Sequence, residues 1–539
     1  MVNENQFNRA VQSVKDNELT PVWVDESRKK TRELKAIVTG ENFAEELIEN
    51  IEKLESKDRA TARKKYSKDI RDMFARVYKN RQNVFEAVGG SELVKTENEA
   101  IRVDVENYIK NFKGNKSVEQ YLADYLFRLW DTEPNGLLFI EYVSQPDFRI
   151  YPTFKSINDI RNYKSYGQKL DFVLFEPILD QKEGFKLWRY VDSEIDVLVK
   201  EQNGIYTQVA EKSFQHNFKT VPAVIISNVQ VIGCEKRVSP VEQVSELAKD
   251  YARDKSVLTI YKFLNGFPIH WRYTQQCRTC QGTGKKDNKT CTVCDGKGTM
   301  GKNDVTDMVT ITKPREGDPV ITPNIAGYVA PDLETWKQYN EDLKIKEELI
   351  YHTAWGTLPN QNQNNETATG RFIDTQPITN ELGVYSSNVE YIHNELVKFV
   401  ISIIPRASQV IYYKSYGRRF IIENADTILK RYDESKTLGS PTVVLDRLLN
   451  EFIVAKYKTD TLMMNVMLKK AKLEPYIHYD IKDVFDMFGA VEASKKVMFH
   501  DFWENTDTSL PYEQLQIQLN KYYENNKSNF TSGQIPPTN

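Results

Sequence analysis

Four of the five cysteines fall within eighteen residues and form two matched units. The first is Cys277, Arg278, Thr279, Cys280, Gln281, Gly282, Thr283, Gly284. The second is Cys291, Thr292, Val293, Cys294, Asp295, Gly296, Lys297, Gly298. Each reads C-x-x-C-x-G-x-G. A two-residue gap lets both sulfurs of one unit reach a single ion at ~2.3 Å. The glycines let the backbone fold under the sulfurs, where a Cβ would obstruct. Two such knuckles supply four sulfurs, enough to close a tetrahedral structural zinc site through Cys277, Cys280, Cys291 and Cys294. Four protein sulfurs leave no open position for water, so the expected metal is structural rather than catalytic. Four reduced thiols, or two labile disulfides in a loop, are the alternatives; the spacing favours the metal. Cys234 stands alone and reads as a small buried apolar residue.

Other chemistry is hard to find. The six histidines form no H-E-x-x-H pattern, and no G-x-S-x-G, Walker phosphate loop or strand-borne G-x-G-x-x-G is present. No carboxylate pair is singled out by spacing, and the expectation is a protein that is not an enzyme. His393 reads as a packed or solvated histidine. From Lys57 to Arg81 there are ten basic residues and three acidic ones. That run could meet a polyanion, but a solvated helix face explains the charge count as well and is the commoner case. A nucleic-acid enzyme working through this run has no nuclease or nucleotidyl-transfer motif behind it. The cysteine units resemble the knuckles of DnaJ-type chaperones. That family carries four such units and a His-Pro-Asp J domain; this chain has two units and no His-Pro-Asp, so the likeness implies a reused metal clip rather than a chaperone.

The chain has 539 residues, room for roughly three to five folded units. Basic and acidic residues nearly balance, at net −3, which argues against a globally basic nucleic-acid binder. The longest apolar run, Phe399 to Ile404, is far too short to span a membrane, and Met1 to Asn5 carry no secretion signal. A soluble intracellular protein without a membrane partner is expected.

The elements that must position the cysteines follow from periodicity. Residues 1–115 read as a charged helical region, with Tyr66, Ile70, Phe74, Val77, Val84 and Val88 forming an apolar stripe on helix within 27–90. Residues 116–238 read as α+β. A helix rich in Tyr121, Leu122, Leu126 and Trp130 meets a strand Leu137–Tyr142 through Pro134, Asn135 and Gly136. Short strands follow at 148–151, 172–175, 187–190, 195–199, 206–209 and 221–226 as an antiparallel sheet. Ser239, Pro240 and Glu242 make a capping box with a favourable proline, starting a helix over 239–264. Residues 265–330 are a β-rich insert that contains the knuckles, and a second long helix covers 331–355. The two helices should form an antiparallel hairpin with the insert at its tip. Residues 356–378 are a polar loop with six consecutive amides, Asn360, Gln361, Asn362, Gln363, Asn364 and Asn365. Residues 379–440 hold a third long helix, from Thr379 to about Ile404, and returning strands at 410–414 and 418–422. Residues 441–525 are helical in short units, and 526–539 form a disordered tail.

This order of elements resembles the portal proteins of tailed bacteriophages. Phe218 to Ile225 looks like the strand before that family's first stem helix, Ser239 to Leu264 like that helix, and Pro331 to Trp355 like the second. Asn365 to Phe372 is similar to the small-residue segment beside the tunnel loop, and Asp480 to Trp503 looks like the end of the crown. The resemblance implies an α+β portal fold with a helical stem, a β-rich clip, an α+β wing and a helical crown. It also implies a homo-oligomeric, dodecameric ring at one capsid vertex of the virion, built in the host cytoplasm. Double-stranded DNA would pass through its channel in packaging and ejection, with Asn360 to Asn365 as the channel loop. Terminase, then neck or head-completion proteins, would dock on the clip, and the major capsid protein would surround the ring. A conduit that avoids gripping its cargo fits a near-neutral chain and a loop made only of amides, because each Lys or Arg contact to phosphate strengthens binding. The rival readings are an ordinary helical hairpin with a surface linker, and a zinc-dependent adaptor or chaperone-like protein-binding module.

Overall fold

Ser117 starts the helix that organises the first half of the chain. Its hydroxyl accepts from the Gln120 amide at 3.1 Å, and the Gln120 side chain accepts from the Ser117 amide at 3.0 Å, satisfying two otherwise orphaned donors. Helix Val118–Thr132 buries Tyr121, Leu122, Leu126, Phe127 and Trp130 and ends before the Pro134–Gly136 turn. A Cβ on Gly136 would lie 2.6 Å from the Phe154 ring, so glycine lets strand Leu137–Val143 begin flush against its neighbour. The computed structural model describes residues 2–49, 57–87, 89–143, 149–216, 218–265, 269–274, 276–299, 308–312, 326–329, 333–357, 368–404, 409–420, 425–458 and 460–526. The chain divides into two compact units, Met1–Phe85 with Gly90–Tyr416, and Glu86–Gly89 with Gly417–Asn539.

The first unit is mixed helix and sheet, as expected. Strand Leu137–Val143 sits between Ala223–Ile225 and Arg149–Lys155, antiparallel to both. A second antiparallel sheet runs in the order Phe214–Gln215, Ile195–Gln202, Phe185–Asp192, Lys169–Phe175, Ile160–Tyr166, with two short edge pairings. Consecutive residues serve opposite cores. Val173 and Val191 pack with Leu137, Phe139 and Ile225 beside Val24, whereas Leu174 and Tyr190 pack with Trp188 and Val197 beside Ala10 and Val14. The sheet is thus buried on both faces, which explains its unbroken apolar runs. Strands Ile160–Tyr166 and Ile178–Asp180 were not anticipated. The first hides its alternation because the register shifts between Ile160 and Asn162.

Ser239 behaves as its sequence predicts. Its hydroxyl accepts from the Val241 amide at 3.0 Å and Glu242 accepts from the Ser239 amide at 3.1 Å. The first turn, Pro240–Val244, is a 3-10 turn, and Ser245–Asn265 continues as α-helix. Its partner is Leu333–Trp355. Lys346 pairs with Asp254, the Tyr261 and Tyr339 rings are 6.2 Å apart, and Lys262 lies 5.4 Å from the Trp336 ring centre. Partner numbers fall as the others rise, so the two rods are antiparallel.

The basic run is not one helix. It breaks into Lys57–Tyr66, Arg71–Val77 and a 3-10 turn at Lys79–Gln82. Ile70, Phe74, Val77 and Val84 are buried as the stripe predicted, but Tyr66 is only half-buried and Val88 lies outside the described residues. Several of its polar groups meet the rods: Lys255 bonds the Asp69 carbonyl at 2.8 Å and Asp72 at 3.2 Å, and Arg76 pairs with Glu347 at 2.7 Å. Arg81 is fully enclosed. It makes a bidentate pair with Asp131, both bonds 2.5 Å, and its guanidinium carbon lies 4.3 Å from the Tyr78 ring centre and 5.5 Å from that of Tyr385. Burial pushes the Asp131 carboxyl upward while the guanidinium pulls against that shift. The Asp131 carbonyl accepts from the Ser239 hydroxyl at 2.8 Å, and Trp355 Nε1 donates to the Val77 carbonyl at 2.7 Å. The near ends of both rods are therefore anchored around one buried ion pair.

The third long helix is Ala368–Ile403 and contains Pro377, so it starts eleven residues before the expected Thr379. A proline costs one helical hydrogen bond and commonly marks a boundary, but this helix continues through it. The helix therefore takes in part of the segment assigned to the polar loop. Strand Ile411–Ser415 forms as expected but pairs with Ser91–Lys95, inside a region read as purely helical. The described part of 418–422 forms no named strand; residues 421 and 422 lie outside the described residues. His393, expected to be packed or solvated, is packed. Its Nδ1 meets the Tyr416 hydroxyl and its Nε2 the Tyr412 hydroxyl, each at 2.9 Å, and Tyr412 donates to Glu92 at 3.1 Å.

In the second unit, helices Thr442–Lys456, Thr461–Leu473, Ile481–Phe488, Ala490–Asn505 and Tyr512–Asn525 fall within the stretch 441–525 read as helical, whereas helix Ala425–Thr437 lies in 379–440 and was not anticipated. Phe499, Phe502, Leu515 and Leu519 form one core, and buried Lys496 holds Glu474 and the Tyr476 carbonyl. The expected tail lies outside the described residues beyond Asn526. No described helix is long and apolar enough to cross a membrane.

Two outcomes follow. Arg81→Ala strands a buried carboxylate and should cost about 3–5 kcal/mol, whereas Arg81→Met with Asp131→Leu should recover most of it; urea midpoints decide. Burial pushes His393 down to about 3. The unfolded chain therefore takes up the proton first as pH falls below ~6.5, and the native state loses about 2 kcal/mol by pH 5 from this group. His393→Gln should flatten the fall in urea midpoint between pH 7 and 5; an unchanged slope would rule the argument out.

Candidate metal centre

The described residues of the insert 265–330 include the strands of a three-stranded sheet. Ile269–Thr274 lies between Met308–Thr312, parallel, and Ala326–Val329, antiparallel. Gln276 and Thr299 form a bridge that closes the knuckle pair at its base. The two knuckles are related by an approximate two-fold repeat. The Cys277 amide donates to the Gly298 carbonyl at 2.9 Å, and the Cys291 amide to the Gly284 carbonyl at 3.0 Å. The Thr283 amide donates to the Cys280 carbonyl and the Lys297 amide to the Cys294 carbonyl, at 3.0 and 2.9 Å. Between the knuckles, Lys285–Lys286 pairs with Lys289–Thr290 across a turn whose central residues, Asp287 and Asn288, both have positive φ, 54° and 59°. Aspartate and asparagine tolerate that conformation.

Gly284 and Gly298 are the tight points. A Cβ on Gly284 would sit 2.2 Å from the Gly296 carbonyl oxygen, and one on Gly298 2.4 Å from that of Gly282. Both also have positive φ, so each position demands glycine twice over. Their amides donate to sulfur, Gly284 to Cys280 Sγ and Gly298 to Cys294 Sγ, each at 3.3 Å.

All four cysteines are buried, and their sulfurs lie within 4.8 Å of one another. Cys277 Sγ is 3.9 Å from Cys291 Sγ, and Cys280 Sγ is 3.6 Å from Cys294 Sγ. A tetrahedron with ~2.3 Å metal–sulfur bonds has edges of about 3.8 Å, so the sulfurs already stand at ligand spacing. The Cys277 thiol is pushed down to about 7, chiefly by the Cys280 backbone amide, while burial pushes the Cys294 thiol up to about 11. Four sulfurs so placed do not ionise together unaided. A soft dication such as zinc could bind there, offset two of the four charges and hold the sulfurs as thiolates by coordination. The structure thus brings together every cysteine expected to ligate. Cys234 is half-buried rather than buried, with its sulfur 4.0 Å from the Val231 carbonyl.

The amides Asn360, Gln361, Asn362, Gln363, Asn364 and Asn365, expected to line a channel, lie outside the described residues. Sequence reasoning missed the rim of the metal module, where Arg278, Lys285, Lys286, Lys289 and Lys297 are all exposed. The signal was available as five basic residues against Asp287 and Asp295 in 276–299. A second cluster, His478 between the Tyr432 hydroxyl at 3.0 Å and Asp446 at 2.8 Å, has both ring nitrogens engaged and ties the helices of the second unit together. No protein-family model matches the chain, and no curated protein matches it.

Metal analysis of the purified chain should give about one bound ion, and Cys280→Ser with Cys294→Ser about none. Gly284→Ala should weaken retention against a chelator at least tenfold, because Cβ and the Gly296 carbonyl cannot share the space. Unchanged retention would show that the knuckle does not close as described.

Proposed function

We propose that this chain is the portal protein of a tailed bacteriophage. Copies close into a ring at one capsid vertex, and the ring serves as the conduit for packaging and ejecting double-stranded DNA. The two antiparallel rods of each copy stand as one stave of the channel wall, and the metal-clipped insert forms the docking tip for terminase and then neck proteins. Zinc is the ion assigned to the four sulfurs, because an all-thiolate tetrahedral set suits it and asks for no redox change.

The observation that carries this reading is the pair of rods. Ser245–Asn265 leaves one buried junction and Leu333–Trp355 returns to it, with the β-rich insert between them in the chain. Ile345 and Leu349 lie four residues apart on the second rod, 60% and 45% exposed. Residues at that spacing share one face of a helix, and a neighbouring copy would cover them. Near-neutral charge supports a channel through which a polyanion slides without being held.

A zinc-dependent adaptor is the second reading. It draws on the exposed residues of the knuckle loops, among them Arg278 and Val293. There the insert would be the working surface and the chain would need no ring.

Light scattering separates the two. The portal reading expects a closed oligomer many times the 62.6 kDa chain mass, and Ile345→Glu with Leu349→Glu should leave a folded monomer. Cys277→Ser with Cys291→Ser should keep the ring and weaken docking at its tip. A wild-type chain that stays monomeric at high concentration, yet binds unfolded protein segments only when zinc is present, would replace the portal reading with the adaptor.

A further inference from the structure

Two sulfur approaches cross from one knuckle to the other, Cys277 to Cys291 at 3.9 Å and Cys280 to Cys294 at 3.6 Å. The same crossing pattern runs through the backbone, where each knuckle's first cysteine amide bonds the other knuckle's last glycine carbonyl. The four sulfurs are not equally sheltered. Cys280 and Cys294 are 5% and 6% exposed, against 0% and 2% for Cys277 and Cys291. The closer of these two pairs is therefore also the more accessible one. A disulfide needs its sulfurs at ~2.05 Å, so closing either pair asks for a movement of about 1.5–2 Å in side chains that already face each other.

We propose that the knuckle pair is a peroxide-oxidation site with a second closed state, in which two cross-knuckle disulfides, Cys280–Cys294 and then Cys277–Cys291, replace the metal. In the first step one sulfur attacks a peroxide oxygen, the O–O bond breaks, and a sulfenic acid forms as water leaves. The facing thiolate then attacks that sulfur, the S–O bond breaks, and a second water departs as the S–S bond forms. One zinc tetrathiolate, two hydrogen peroxides and four protons thus become one zinc ion, two disulfides and four waters. Sulfur is oxidised and peroxide oxygen reduced. Bonds across the repeat would keep the two halves joined after the ion leaves, whereas bonds within each knuckle would let them part. The inference rests on the four sulfurs forming one site, as the metal reading does. Under the portal reading it has a use: the chain is made in a reducing cytoplasm and then persists in an oxidising medium where no cell replenishes its zinc.

The test uses the full chain. Zinc content is measured first, then hydrogen peroxide is added with a chelator, free thiols are blocked, and the non-reduced protein is cut with trypsin. Cleavage after Arg278, Lys285, Lys286 and Lys289 puts Cys277 and Cys280 on separate peptides, while Cys291 and Cys294 stay together between Thr290 and Lys297. Cross-knuckle bonds leave both short peptides attached to 290–297, and fragmentation between Cys291 and Cys294 assigns each partner. The expected result is loss of four thiols per chain, with Cys280–Cys294 appearing before Cys277–Cys291 and both reversed by dithiothreitol with zinc. A Cys277–Cys280 link with an internal bond in 290–297 overturns the proposal, as does oxidation to sulfinic or sulfonic acids without disulfides. Cross-knuckle bonds in a chain that held no zinc at the outset would sustain this inference while removing the metal reading.

Discussion

A buried arginine holds the first unit together. Arg81 and Asp131 are each almost fully enclosed, and an ion pair in that setting offsets its desolvation only when geometry and hydrogen bonding are good. Here both carboxylate oxygens are engaged and aromatic rings surround the guanidinium. The pair sits where four helical segments converge. Asp131 ends the helix that feeds the sheet and takes the Ser239 hydroxyl of the first rod on its carbonyl, Trp355 ends the second rod, and Tyr385 comes from the long third helix. The rods inherit their starting direction from this point, and the insert inherits its position from the rods.

The metal module solves a different problem. Among the described residues of 276–299 the buried side chains are its own four cysteines, and the exposed ones are mostly lysine, threonine and other polar residues, with Val293 the apolar exception. A segment so small and polar gains too little from burial to offset the entropy of ordering it. Four buried sulfurs stand where a core would be, and the repeated amide-to-carbonyl exchange between knuckles sets a geometry that a bound ion could lock. One anchor is thus a charge pair buried by aromatic rings, and the other a cluster of four sulfurs at ligand spacing.

Legibility in the sequence followed how local the cause was. The four cysteines were readable because knuckle spacing and the glycines after it are dictated by metal–sulfur geometry within eight residues. Ser239 and Glu242 were readable because a capping box spans four. The rods were readable from helical periodicity, and the antiparallel sheet from its turn residues. What was not readable depends on distant partners. Arg81 looks like one more charge in a basic run, and only Asp131, fifty residues on, makes it a core residue. Ser91–Lys95 carries little apolar pattern and becomes a strand because Ile411–Ser415 arrives beside it. Ile160–Tyr166 lost its alternation to a register shift, and Pro377 signalled a boundary that the helix ignores.

The ribbon of Ser91–Lys95 with Ile411–Ser415 ties together stretches more than three hundred residues apart. On a ribosome the first of these emerges long before the second exists. At ~5–20 residues per second the wait is on the order of 15–60 s. Throughout that interval Ser91–Lys95 lacks its ladder partner, and the Glu92 end of the His393 relay has nothing to bind. The nascent chain can settle its early sheet and capped helices, whose contacts are near in sequence, but it cannot finish the floor beneath His393 until most of the message has been read.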